Sequence, residues 1–439
     1  MSIVHVIGAG MAGLACAVRL TAAGVRVIVH EAAPQAGGRS RSFFDATLGR
    51  TVDNGSHLML SGNRALLGLL ATVGAADRLE AVRPAAFPFR DLRTGGSWTL
   101  RPGGLWLLDP TRRVPGSRPG DYLAALRTLF AGPGASVADV LPPRGALYDR
   151  LWAPLAIAGL NGAPDRVSAR LFGAILRETL LRGEAHCRPL IARDGLSATL
   201  VEPAVAWLSA HGVEVRLGSR VDGLDVDGLD IAAGRVAALS VAGVSLPLGA
   251  ADRVVLAVPP WAAERLVPGL TVPPPGRAIV NAHFRLDQPP ALPGGLPFLG
   301  LIGGAAEWLF ARGDVLSVTV SNADALADRP ADAVAAVLWA DVARALNLSG
   351  PVPPSRVVKE RRATFDQAPE HAAMRPAART GLGNLFLAGD WVDTGLPATL
   401  EGAVRSGEAA AKTILTASRT TFAPLCRFPA FPLRRNGHI

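Results

Sequence analysis

The stretch that most constrains the fold is the first thirty-one residues. Ile3-Val-His-Val-Ile7 is a short β-branched run, as a buried parallel strand requires, and it leads into Gly8-Ala-Gly10-Met-Ala-Gly13. Leu14 to Leu20 continue as a helix, and Val25-Arg-Val-Ile-Val-His-Glu31 reads as a second strand ending in an acid. Gly8 permits the sharp turn, Gly10 lets backbone approach a pyrophosphate, and Gly13 lets helix and strand pack closely. The helix start at Met11 and Ala12 aims free N–H groups and a positive dipole end at the phosphates. Glu31 offers a carboxylate to both hydroxyls of an adenosine ribose and repels a 2′-phosphate, so FAD or NAD is expected rather than NADP.

A glycine-rich turn alone serves many loops, and what separates FAD from NAD follows at once. Gly37-Gly38-Arg39-Ser-Arg41 resembles the G-G-R element of the amine oxidase and phytoene desaturase flavoprotein superfamily. The resemblance implies that Gly38, Arg39 and Arg41 lie against the flavin and diphosphate; the alternative is a basic surface turn. Asp53-Asn54-Gly55 marks a turn into a further apolar strand and joins the candidate cofactor set. His57 lies just beyond it, where a side chain can reach the flavin region.

The chain's 439 residues suggest two domains. Hydrophobic residues make up 49% and mean hydropathy is +0.28, yet no apolar run is long enough to span a bilayer. The first residues enter a strand with no basic flank, so no signal peptide is expected. Cys16, Cys187 and Cys426 are scattered, which suits a reducing cytoplasm and excludes both a disulfide framework and metal-ligand spacing. The charge of +9 is carried almost wholly by arginine, with Lys359 and Lys412 the only lysines. No nucleic-acid motif accompanies it; attraction to an anionic membrane surface and a scattered solvated charge are the two readings left.

Residues 86–195 are unusually apolar. Tyr122 to Phe130 carries Leu123, Leu126, Leu129 and Phe130 at helical spacing, Leu151 to Leu160 is apolar nearly all round, and Leu171 to Leu181 adds another stripe. Such helices are expected to pack in a core or to line an oily cavity. Candidate strands lie at 213–217, 236–241, 244–248 and 252–258, then at 278–286 and 315–321, with a helix at 331–346. In the superfamily the first of these leads into backbone contacts with adenine, here near Val221.

The chain closes where it began. Asn384-Leu-Phe-Leu-Ala-Gly389-Asp390 is a strand ending in Gly-Asp, and Thr394 to Gly407 runs into a final helix. This resembles the superfamily's second FAD signature, which implies that Gly389 and Asp390 hold the ribityl and phosphate region. It also implies that the helix start, Pro397-Ala398-Thr399, presents N–H groups to the flavin's pyrimidine edge. The expected fold is therefore α/β: a discontinuous Rossmann-like FAD-binding domain (1–85, 196–265, 373–417) with an inserted α+β substrate domain (86–195, largely helical, and 266–372) and a tail, 418–439.

A narrower match covers nearly the whole chain to about residue 416. Asp53-Asn-Gly-Ser-His-Leu, Leu151-Trp-Ala-Pro-Leu, Ala363-Thr-Phe-Asp-Gln-Ala-Pro-Glu and the C-terminal block resemble the squalene-associated desaturase-like family, the hydroxysqualene dehydroxylases of hopanoid biosynthesis. Ser56, where a larger Gln is expected, departs from that pattern, as does the tail. The resemblance implies that reduced FAD replaces an allylic hydroxyl with hydride, turning a long isoprenoid alcohol into squalene. His57 is the candidate acid, with a loop-ordering histidine as the alternative; Asp53 and Glu401 are expected to order loops and flavin, and tryptophans such as Trp391 to pack or face a cation. A carotenoid desaturase, an amine oxidase and a non-catalytic prenyl-lipid carrier are the competing readings. No second nucleotide fingerprint identifies an electron donor. A cytoplasmic protein in peripheral contact with the membrane is expected, with the arginine- and aromatic-rich tail as an interfacial anchor or a disordered extension.

Overall fold

The computed structural model describes residues 2–227 and 234–420, so the expected tail lies outside it apart from the last turn of the final helix. Five strands, β1 (Ile3–Ile7), β2 (Arg26–His30), β3 (Glu214–Arg216), β4 (Arg253–Leu256) and β5 (Leu385–Leu387), form a parallel sheet in the order β3-β2-β1-β4-β5. The order reverses between β1 and β4, which opens a ligand crevice beyond the carboxyl end of β1, where Gly8 stands. Helices α1 (Met11–Ala22), α2 (Arg64–Thr72), α3 (Ala153–Leu160), α4 (Ala169–Glu178) and α5 (Leu400–Thr420) surround that crevice or the apolar layer beside it.

The core of this half is built on close backbone approach. A Cβ on Gly13 would lie 1.9 Å from the Gly8 carbonyl oxygen, and one on Gly407 would lie 2.1 Å from that of Ala12. Only glycine lets α1 sit on β1 and α5 cross α1 at these distances. The space between fills with Val6, Leu14, Val18, Val29, Val404 and Ile414.

The second layer is a seven-stranded sheet. Its order is Ser355–Glu360, Ile279–Arg285, Val315–Val320, Trp308–Arg312, Phe298–Ile302, Phe87–Asp91 and Ser97–Leu100, antiparallel except where Phe298–Ile302 meets Phe87–Asp91. One face packs Val280, Ala282, Leu309 and Val318 against Leu338 and Trp339 of the helix Ala331–Leu346. Because strand side chains alternate, the register places Asn281, His283, Ser317 and Thr319 on the opposite face, running on into Trp308, Phe310, Phe298 and Phe89.

The helix at 331–346 and the strands near 278–286 and 315–321 stand where the sequence places them. The apolar segment differs. Residues Pro119–Phe130 form a 3₁₀ helix that buries Tyr122, Ala125 and Thr128, while Leu123, Leu126, Leu129 and Phe130 face solvent instead of a core. At three residues per turn, positions three apart eclipse one another, so the neighbouring stripe of leucines is carried wholly outside. Helix α3, apolar all round, is half buried and lines a cavity with Pro154 and Ile157. Among the described residues no helix is long and apolar enough to cross a membrane, and no group of three or more His, Cys, Asp or Glu is placed to hold a metal.

Candidate active site

At the carboxyl ends of the parallel strands the residues fit a dinucleotide. Gly8 takes φ +108°, and a Cβ there would meet the Ala257 carbonyl oxygen at 2.4 Å. A Cβ on Gly10 would meet nothing within 4 Å, so the turn borders open space, and no side chain caps α1. The N–H groups of Met11, Ala12 and Gly13 thus open the helix toward that space without a protein cap. The Glu31 carboxylate accepts hydrogen bonds from the backbone N–H of Ala9 (2.7 Å) and of Ala33 (2.8 Å), which fixes it beside the glycine turn with one lone pair left on each oxygen. Ser219 donates its N–H to the Glu31 carbonyl (2.8 Å), bringing the start of the strand at Val221 to the same end. Below them His5 and His30 stack with ring centroids 5.5 Å apart; burial lowers both, His30 to about 4, so the pair is neutral near pH 7.

The two distant signatures meet through one ion pair. Arg39 donates to the Asp390 carboxylate at 2.7 Å and also to the Ala363 carbonyl. Burial works against the Arg39 charge, but Asp390 outweighs it and raises the guanidinium's pKa. Gly38 packs on Gly10, whereas Arg41 turns back to the Gly38 carbonyl (2.7 Å). Gly389 lies against the buried Trp391, whose indole N–H donates to the Val258 carbonyl (2.9 Å); this tryptophan is packed and offers no face to a substrate.

Two residues without an assigned role in the sequence hold the β5–α5 loop. Arg375, almost wholly buried, donates to the carbonyls of Asp390, Trp391, Val392 and Leu396, and its guanidinium lies 4.9 Å from the Phe365 ring centroid. Gln367 accepts from the Ala398 N–H (2.9 Å) and donates to the Leu160 carbonyl at the end of α3 (2.8 Å), tying the loop Pro397-Ala398-Thr399 to the apolar helix. Both lie in stretches that carry the family resemblance, but their partners are carbonyls and an amide that no pattern of side chains announces. Thr399 caps α5 by accepting from the Gly402 N–H (3.1 Å). Glu401 accepts from the N–H groups of Ala65 and Leu66 (3.0 Å each) and so caps the helix α2.

Asp53 is engaged by protein on every side: it accepts from Ser42 Oγ (2.6 Å), the Leu196 N–H (2.9 Å) and Arg312 (2.6 Å), and so joins three segments remote in sequence from one another. Asn54 and Gly55 lie against Asn281 on the buried polar face of the seven-stranded sheet, and Asn281 donates to the Asn54 carbonyl (3.2 Å). His57 stands next to this contact, with Arg39 and Asp53 in electrostatic reach. Burial lowers its pKa; Asp53 acts against the shift and Arg39 with it, so the imidazole is mainly neutral at pH 7. Farther along the sheet a cavity of about 170 Å³ is walled by Phe89, Pro154, Ile157, Ile302 and Trp308, with Glu307 at its edge. Glu307 Oε2 accepts from the Ser321 N–H (2.8 Å), and burial pushes the carboxyl up to about 7. The next residue, Asn322, donates its N–H to Asn161 (2.7 Å), the left-handed cap of α3. No sequence signal singles out Glu307, because the cavity at which it stands is closed by Phe89, Pro154 and Ile157, some 150–220 residues away.

The chain is similar to known proteins over nearly its whole length. The pattern described as "Flavin containing amine oxidoreductase" matches residues 11–124 and 135–415. A hydroxysqualene dehydroxylase of Rhodopseudomonas palustris is 50% identical over 420 residues, covering 95% of this chain and 99% of that protein. One of Sinorhizobium fredii is 48% identical, with 95% and 99% covered. Among solved structures, cyclohexylamine oxidase from Brevibacterium oxydans superposes with TM-score 0.69 at 17% identity, over 95% of this chain and 99% of its own, which speaks to the fold. The chain therefore belongs to the flavin containing amine oxidoreductase family, beside relatives named hydroxysqualene dehydroxylase.

Proposed function

We propose that this flavoenzyme reduces hydroxysqualene to squalene and that its flavin is FAD, held by residues 1–85, 196–265 and 373–417 as one cofactor domain. The observation that carries the substrate is the near full-length identity of 48–50% to dehydroxylases, joined to an aromatic, apolar sheet face beside α3. The glycine turn, Glu31, Arg39 and Asp390 support the dinucleotide.

Bound and reduced, FAD supplies a hydride. The chain's own residues have three further tasks. The seven-stranded sheet and α3 exclude water and align the isoprenoid, which substitutes preorganised contacts for solvent. Phe89 and Trp308, which wall the cavity, offer π-electrons toward an allylic carbon that gains positive charge as its C–O bond breaks. The departing hydroxyl must leave as water, so one proton has to be delivered. His57 is our first candidate, through the minor imidazolium form that burial leaves near pH 7; Glu307, holding a proton on Oε1 near neutrality, is the second, favoured by its place at the cavity. The protein is read as cytoplasmic, working at the inner membrane surface where such lipids reside.

Anaerobic turnover after photoreduction of the flavin tests this reading. Stoichiometric squalene with return of the oxidised flavin spectrum is expected; a yellow protein that binds hydroxysqualene and yields none overturns it in favour of a carotenoid desaturase. His57→Ala and Glu307→Gln then separate the acids: the variant that keeps flavin but loses about 10²-fold or more in turnover marks the proton donor.

A further inference from the structure

The 3₁₀ helix Pro119–Phe130 presents apolar side chains that the protein leaves in water. Phe130 is 87% exposed and Leu123 62%, and Leu105, on the adjoining loop, is 78% exposed. The loop and the helix form one surface, because Trp106 packs edge-on against Tyr122 with ring centroids 5.1 Å apart. The patch is rigidly backed. Tyr122 reaches Trp152, which reaches Phe172 of α4, and a Cβ on Gly173 of α4 would lie 2.6 Å from the Thr128 carbonyl oxygen. A 3₁₀ helix of twelve residues is uncommon, and here its period of three keeps Leu123, Leu126 and Leu129 in one outward row.

Charge identifies what covers the row. Residues 101–130 contain Arg101, Arg112, Arg113, Arg118 and Arg127 against Asp109 and Asp121, a net of +3. Both acids are turned to local structure: Asp109 accepts from Thr111 and Asp121 from the Arg118 N–H. Exposed leucine and phenylalanine beside unpaired-sign arginine is the composition of an interfacial element that sinks its apolar side chains below anionic headgroups. We propose that residues 105–130 are a preformed docking face for an anionic lipid bilayer, rigidly mounted on the apolar layer of α3 and α4. The inference rests on the isoprenoid substrate proposed above, and its test is independent of turnover.

The flavin-loaded full chain is sedimented with sucrose-filled vesicles of phosphatidylglycerol and phosphatidylcholine, and with phosphatidylcholine alone. Binding to the anionic vesicles is expected. Leu123→Asp with Phe130→Asp should weaken it by about tenfold or more per side chain, since burial of each is lost. Arg118→Glu with Arg127→Glu should abolish the preference for anionic vesicles. Flavin absorbance and melting temperature should not move, because these side chains already lie in solvent. Undiminished vesicle binding by the Leu123/Phe130 variant overturns the proposal. So does a wild-type dimer that this variant converts to monomer in sedimentation velocity without lipid, which would make the face a contact between two copies. Turnover of detergent-dispersed hydroxysqualene should be equal in all variants; its absence from wild type defeats the substrate reading and leaves the vesicle result to stand alone.

Discussion

The two halves of the molecule are specified in different ways. In the parallel sheet and its helices, position is set by backbone contact: Gly13 on Gly8, Gly407 on Ala12 and Gly8 on Ala257 leave no space for a methyl group. In the seven-stranded sheet, position is set by side chains meeting across strands remote in sequence, as where Phe89 meets Trp308 edge-on. The first half therefore has one solution, which evolution can vary little without losing the cofactor. The second can change its lining and with it the substrate.

That comparison can be broken experimentally, and the largest effect should come from the backbone half. Gly13→Val places a branched side chain where even a Cβ meets an oxygen at 1.9 Å, so a loss of about 4 kcal/mol or more is expected, with no flavin retained on gel filtration. A stable yellow variant would end the claim that this contact is indispensable. Arg375→Met comes next. Several buried carbonyls lose their donor, costing about 3–4 kcal/mol in urea unfolding and releasing flavin, while Arg375→Lys should recover part of both.

In the side-chain half the sharpest probe is pH. His283, buried with Nδ1 on Ser317 Oγ, is lowered to about 4 chiefly by burial. The unfolded chain binds its proton near 6.5, so stability is complete above that value and is lost as pH falls toward 4, on the order of 3 kcal/mol. His283→Gln should flatten that acid limb of the melting curve; an unchanged slope would assign it elsewhere. Glu307 runs oppositely, favouring the fold when protonated and losing that contribution as pH rises from 4.5 toward 7. The smallest effect is expected from Glu401→Ala, which uncaps α2 for about 1–2 kcal/mol yet should leave the flavin spectrum unaltered.

The same contrast explains what could be read from the chain. Gly8, Gly13 and Glu31 lie within one strand–helix–strand unit, so short-range spacing predicts their geometry. The helix Ala331–Leu346 was equally legible from its own periodicity. Strands Phe298–Ile302 and Trp308–Arg312 were not, since glycines and prolines around them read as linkers and their pairing partners include Phe87–Asp91, two hundred residues earlier. Leu123 to Phe130 shows apolar spacing without revealing whether the period is 3.6 or 3.0, and that difference decides between core and surface. Asp53 was legible as part of a turn and was expected to contact the cofactor, but the structure shows its carboxylate held instead by Ser42, Leu196 and Arg312.

The crossing of α5 over α1 at Gly407 has a consequence in time. The first strand and helix leave the ribosome well ahead of β5 and α5, which complete their sheet edge and cover their helix and follow almost four hundred residues later. At roughly 5–20 residues per second, the nascent glycine turn waits on the order of 20–80 s before its partner exists. Cofactor capture is therefore a late event in biogenesis. A ribosome stalled anywhere ahead of residue 400 would carry a nascent chain with an intact fingerprint and no means of retaining what it recognises.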